Sequence, residues 1–447
     1  MPISFSKKES NYKQIIEYKT TTGSGIVPLL KPIPIGGTLI SPGLVEIGAS
    51  IAASYKKTVF DGLNFGKLKE SGKGTVLAVL DTGVFDGHPD LKGKVIYKTN
   101  YKGETKANNP NCDVEDKHGH GTHVAGLAAA NKSKIFANFR GVAPDAEIVS
   151  VKVTDGDDST TTWVNIKRGI EVVLQYNANP NIKPYQKVSC ILLCFNGYDQ
   201  FTKSTGIENH KIIQLFKECY TLNIPVIVSA GNHYLDFCRL ETPGRSSLLR
   251  WLRPFSNYAT IIEASGLAYP ANNKYVISVG AISRDEGAYP LNINNLPPEI
   301  AFKKNDLAIF SQRMRTLKSR NRNINHDPFL LFASGVNMIS CDNAAPGSRL
   351  LERNNYSTGY AEVSGSSQAA GIVAGTVLLC IEALKQNTAI PQPALTVKNI
   401  MSAIKNGAED ADFNAQGSRV TNYSATSNDY SFFALDIPNT LTTIAHL

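Results

Sequence analysis

From about residue 72 onward, short runs of β-branched and other apolar residues alternate with longer stretches whose apolar positions recur every three or four residues. The short runs predict strands at 75–80, 147–153, 189–195, 225–230, 276–281 and 330–333. The longer ones predict helices at 122–131, 162–177, 208–222, 367–385 and 395–406. Strand and helix follow in βαβ order, which predicts an α/β fold of three layers, α/β/α, with a mostly parallel central sheet. A strand apolar almost without interruption, as at 190–195, suits a sheet covered on both faces.

Two stretches break the alternation, near 233–266 and 284–327. The second is polar and Asn-rich, with Arg313, Arg315, Lys318, Arg320 and Arg322 crowded together; segments of this kind predict insertions. Residues 66–447 therefore read as one domain with two insertions, and residues 1–65 as an N-terminal extension or short propeptide-like segment. The most apolar part of that extension, 25–54, is broken by Pro28, Pro32, Pro34 and Pro42. No stretch approaches the roughly 20 uninterrupted apolar residues of a membrane span, and the first 18 residues show no secretory pattern. The expectation is a protein without a membrane span, in the cytoplasm.

Composition narrows this only a little. With 42% hydrophobic and 19% charged residues the chain has material for a large core, which excludes a disordered polymer. A net charge of +8 over 447 residues is a weak pull towards acidic surfaces. The basic run 313–322 carries no aromatic residues to stack on bases, so nucleic acid is disfavoured as a partner. Seven scattered cysteines, without a CxxC spacing, read as reduced thiols in a reducing compartment.

Four segments carry candidate chemistry. The strand at 75–80 runs into Asp81-Thr82-Gly83, a carboxylate at the carboxyl end of a parallel strand, where α/β folds assemble their sites. Next, His118-Gly119-His120-Gly121-Thr122-His123 opens a helix. Its spacing differs from the HExxH of zinc helices, so one imidazole at a helix start, with His123 buried behind it, is preferred to a metal pair. Third, the strand at 225–230 runs into Gly231-Asn232, whose amide could donate to a developing oxyanion or simply form a turn. Last, Ser364-Gly365-Ser366-Ser367 leads into an apolar helix. A serine there is ordinarily a cap, but Ser364 or Ser366 could cap and leave Ser367 free to act.

Together, in the order Asp, His, Asn, Ser, these segments resemble the subtilisin-like serine proteases, or subtilases. Asp81-Thr82-Gly83 with its His88-Pro89-Asp90-Leu91 tail, the stretch from Gly141 to Ala146, and Tyr269-Pro270-Ala271 carry the same resemblance. It implies a serine endopeptidase in which Asp81 orients His120, His120 activates Ser367, and Asn232 with the Ser367 amide holds the oxyanion. It implies a protein or peptide substrate, and puts substrate-pocket residues at Cys194, Phe195 and Asn196. With no export pattern, an intracellular enzyme with restricted substrates is expected. The alternative is a degenerate subtilase fold that binds peptides without cutting them. Oligomeric state and cleavage preference stay open.

The chain departs from the family in three places. Its serine motif has Ser366, Gln368 and Gly371 where the family has Thr, Met and Pro. Glycine at 371 would loosen the first turns of the helix. Bulkier side chains stand at the pocket strand. Asp90 matches a family calcium-ligand position, but the partner loop carries Lys132 and Lys134 where oxygen ligands should converge, so no cofactor is expected.

Overall fold

The computed structural model describes residues 68–133, 139–156, 161–196, 211–232, 267–284, 287–290, 299–302, 306–308, 310–312, 328–343, 359–386, 395–411 and 432–445. The extension, the stretch 233–266 and the basic run 313–322 lie outside them.

Strand β1, Val76–Asp81, is buried along its whole length, and its side chains divide between two cores. Leu77 and Val79 enter one; Val76, Ala78 and Leu80 enter the other. This period-two split makes the strand the spine of a three-layer fold. It pairs in parallel with β3, Glu147–Lys152, on one side and with β4, Cys190–Leu193, on the other. The full sheet has nine strands in the order β12-β13-β9-β6-β5-β4-β1-β3-β2. The additional members are β2 (Val95–Asn100), β5 (Val226–Ser229), β6 (Ile277–Ile282), β9 (Phe329–Ser334), β12 (Glu409–Ala411) and β13 (Phe432–Ala434). Every pairing is parallel except that of the edge strand β12.

One face is covered by helices α1 (His120–Ala129), α4 (Ser366–Gln386), α5 (Val397–Gly407) and α6 (Ile437–Ala445), whose apolar residues join the core of Leu77 and Val79. Helices α2 (Trp163–Ala178) and α3 (Lys211–Thr221) cover the other. Thr162 caps α2 and Thr396 caps α5, each accepting from an N–H three residues on at 3.1 Å. Helix α4 is apolar on most sides because it is enclosed over nearly its whole length. By composition it could cross a membrane, although serine, glycine and glutamine interrupt its apolar run; 94% of its most apolar window is buried inside the protein.

Two antiparallel ribbons stand apart from the sheet. One pairs β7, Gly287–Pro290, with β8, Glu299–Phe302, and so gives the expected insertion 284–327 a structured part. That insertion also returns to the core, where Ala308, Phe310, Ser311 and Gln312 are buried. The other ribbon pairs β10, Met338–Cys341, with β11, Tyr360–Val363, and packs against α1.

Candidate active site

Three adjacent central strands, β1, β4 and β5, deliver Asp81, Cys194 to Asn196 and Asn232 to the same edge of the sheet. Helix α1 starts above Asp81. Gly121 permits the approach: a Cβ there would lie 2.0 Å from the Gly83 carbonyl oxygen and 3.0 Å from the Asp81 Cβ. The result is a hydrogen bond from His120 Nδ1 to Asp81 Oδ1 at 2.6 Å, between side chains that are 0% and 1% exposed. Oδ1 also accepts from the Thr82 amide at 2.8 Å. With Nδ1–H donating to a carboxylate, the lone pair of the neutral ring sits on Nε2.

Asp116, not singled out by the sequence, fixes this pair. Its Oδ1 accepts from the Thr82 hydroxyl (2.9 Å) and from the His118 and Gly119 amides (3.0 and 2.8 Å). Its Oδ2 accepts from the Thr122 amide (3.0 Å) and hydroxyl (2.5 Å). One buried carboxylate thus caps the start of α1 and ties it to the residue after Asp81, a charge well placed at a helix N-terminus. Lys152, at the end of β3, braces the loop leading there through Asp113 (3.1 Å) and the Glu115 carbonyl (2.7 Å). Burial lowers the pKa of its ammonium, and the Asp113 charge opposes that.

Ser367 stands in the first turn of α4 with its hydroxyl buried and unbonded among the described residues. It is not hydrogen-bonded to His120 here; such contacts in free enzymes are often loose and tighten with substrate. The neighbouring serines have other duties. Ser366 Oγ accepts from the Gly231 amide at 3.1 Å, and Ser364 Oγ from the Asn337 amide at 2.8 Å, so neither hydroxyl caps the helix as the sequence suggested. Asn232 acts there instead: its Oδ1 accepts from the Ser366 amide at 2.8 Å. Since an amide N–H can only donate, this bond fixes which end of the Asn232 amide is oxygen and leaves Nδ2, which lies close to Gly365 at the same helix end, as a donor.

The pocket residues separate. The Cys194 thiol donates to the Ser367 carbonyl at 3.8 Å, and burial, with the Asp81 charge adding to it, holds the thiol pKa well above its usual range. Asn196 exchanges bonds with Ser229 on β5, Nδ2 to the carbonyl at 2.5 Å and Oδ1 from the hydroxyl at 2.9 Å. Phe195 is not brought to the serine: its ring is buried in the core under α2 and α3, on the opposite face from Cys194. Gly371 does not loosen α4; it lets the helix press on α1, since a Cβ there would lie 2.9 Å from the Val124 carbonyl oxygen. His123 is fully buried and donates from Nε2 to the Ala361 carbonyl at 3.0 Å, and burial lowers its pKa to about 3.

A buried Asp–His pair, and a buried serine at the start of a core helix on a mostly parallel sheet, are the chemical groups of a hydrolase of the serine-protease class. The sequence pattern of the subtilase family matches residues 72–429, and the chain belongs to that family of serine proteases. It is 29% identical over 380 residues to "Serine protease AprX" of Bacillus subtilis (strain 168), covering 84% of this chain and 70% of that protein. It is 29% identical over 212 residues to the "Major intracellular serine protease" of the same organism, covering 47% of this chain and 52% of the relative. A third relative, the "Minor extracellular protease Vpr", is 33% identical over 160 residues, covering 33% of this chain and 17% of that protein.

Proposed function

We propose that this chain hydrolyses peptide bonds through an acyl-enzyme formed on Ser367. His120 Nε2 takes the hydroxyl proton as Oγ attacks the carbonyl carbon, then returns it to the leaving amine. Asp81 holds the ring in the required tautomer and faces the imidazolium that forms. Asn232 Nδ2 and the Ser367 amide, at the positive end of α4, receive the oxyanion. Water then attacks the ester with His120 again as base.

The observation that carries this reading is the buried 2.6 Å bond between His120 Nδ1 and Asp81 Oδ1. It gives His120 the one orientation in which Nε2 is a base. The six described cysteines are free thiols, and two relatives are named as intracellular; both observations support an intracellular enzyme. A fluorophosphonate probe tests the chemistry: it should label the wild type and leave Ser367→Ala unlabelled. Labelling that survives in the variant overturns the assignment of the nucleophile, and a wild type that never reacts favours a fold that only binds peptides.

A further inference from the structure

Asp90, at the family's calcium-ligand position, is 3% exposed. Among the described residues its surroundings are not those of a cation site. The Tyr360 hydroxyl donates to Asp90 Oδ2 at 2.5 Å. With that proton committed, the 3.2 Å contact between Tyr360 and Ser133 runs the other way, the serine hydroxyl donating to the phenol oxygen. A directed chain, Ser133 to Tyr360 to Asp90, therefore links the segment after α1 to the turn after β1. The backbone follows the same line: the Asn131 amide donates to the Asp90 carbonyl at 2.8 Å, and the Ser133 amide to the Phe139 carbonyl at 2.8 Å.

Around the phenol the space is filled by rings. His88 and Phe139 pack edge-on against Tyr360, with centroids at 4.8 and 5.3 Å. His88, Asp90 and Cys341 bring metal-type atoms within 4.8 Å of one another, yet their protons are in the wrong places for a metal. The His88 Nδ1 lone pair accepts from the Asp90 amide at 3.1 Å, and its Nε2–H donates to the Gly359 carbonyl at 2.9 Å. Calcium takes six to eight oxygens; here a hydroxyl proton covers the carboxylate, flanked by aromatic carbon. Among the described residues the donor set does not fit calcium.

We propose that the Tyr360 hydroxyl takes the place of the cation at Asp90, so that the segment after α1 is anchored by a phenol–carboxylate bond and its anchoring is independent of calcium. Thermal unfolding of the full chain, in EDTA and in calcium chloride, tests this with Asp90→Asn and Tyr360→Phe. Each should lower Tm by roughly 2–4 °C, as expected when a buried charged hydrogen bond is weakened or lost. The loss should be the same in both buffers, and the double variant should lose little more than either single one. A loss on Asp90→Asn that appears only with calcium overturns the proposal, whatever calcium does elsewhere in the molecule. If a variant fails to fold, hydrogen exchange of the wild-type Asn131 and Ser133 amides decides instead. Equal protection in both buffers is the expected result; protection that requires calcium overturns it.

Discussion

Two buried carboxylates follow one another along the chain, Asp81 at the end of β1 and Asp90 in the turn beyond it, and they are given different partners. Both are withdrawn from water and both are held by a ring, His120 for Asp81 and Tyr360 for Asp90. The difference lies in the partner. An imidazole has a second nitrogen that can carry a proton to another group. A phenol has one oxygen, and burial with the Asp90 bond pushes its pKa up, so it keeps its proton. Burial alone therefore does not mark a reactive carboxylate; what the partner can pass on does.

The strongest way to break this comparison is to neutralise each acid in turn. Asp81→Asn preserves shape but favours the wrong tautomer of His120, and kcat should fall by about 10⁴-fold with little change in Tm. Asp90→Asn should do the reverse, lowering Tm and leaving kcat per folded molecule unchanged. Steady-state kinetics beside thermal unfolding of both variants would show it. If Asp81→Asn merely destabilises, the two carboxylates are equivalent and the catalytic reading fails.

Asp116 stands between these cases, a positioning residue with no contact to the reacting atoms but five bonds to the elements that carry Asp81 and His120. Asp116→Ala should lower kcat by about 10²-fold through a small misplacement of His120, with a smaller change in KM. It should also cost about 3 kcal/mol of stability, because buried amides lose an ionised acceptor. Asp116→Asn, which keeps one acceptor oxygen, should recover part of kcat. A stability loss with unchanged kcat would reduce Asp116 to scaffold.

Much of this was readable in the residues, and the failures have physical causes. The buried parallel strands and the helices α1 to α5 follow from apolar period, because burial on two faces or one leaves a plain pattern. Strand β2 was missed: it is an edge beyond β3, half exposed over most of its length. Helix α6, whose sequence Ile437-Pro-Asn-Thr-Leu-Thr-Thr-Ile-Ala445 is rich in β-branched residues, was missed because its helicity is set by docking on α5 and α4. Asp81, His120, Asn232 and Ser367 were legible as motifs, and the structure joins the first two by a hydrogen bond. The bond from the Ser366 amide to Asn232 was not, since it joins positions 134 apart, and it explains why Asn232 is needed at the helix start. Asp116 left a faint trace, an acid just ahead of a helix N-terminus, which a search for caps would have found. Phe195 was misplaced because, just beyond the end of β4, it turns to the opposite core from its neighbour Cys194.

The smallest expected effect separates the two halves of α1 itself. His120 and His123 lie one turn apart, yet His123 bonds to Ala361, the residue after Tyr360, and so belongs with the inert carboxylate's side of the helix. Burial holds its folded pKa at about 3, below the ordinary value of 6.5. Between those values the unfolded chain binds a proton that the folded chain refuses. Stability is then complete above pH 6.5 and is lost progressively as pH falls towards 3, amounting to about 2 kcal/mol at pH 5. Denaturant unfolding of the wild type and His123→Gln from pH 7.5 to 4.5 would isolate this share. The variant is expected to be less stable at pH 7.5 but to lose less on acidification, the two curves converging as pH falls. Parallel curves would mean that His123 takes up its proton without unfolding the chain. In that case the second histidine of the motif would be accessible to protons in the folded state.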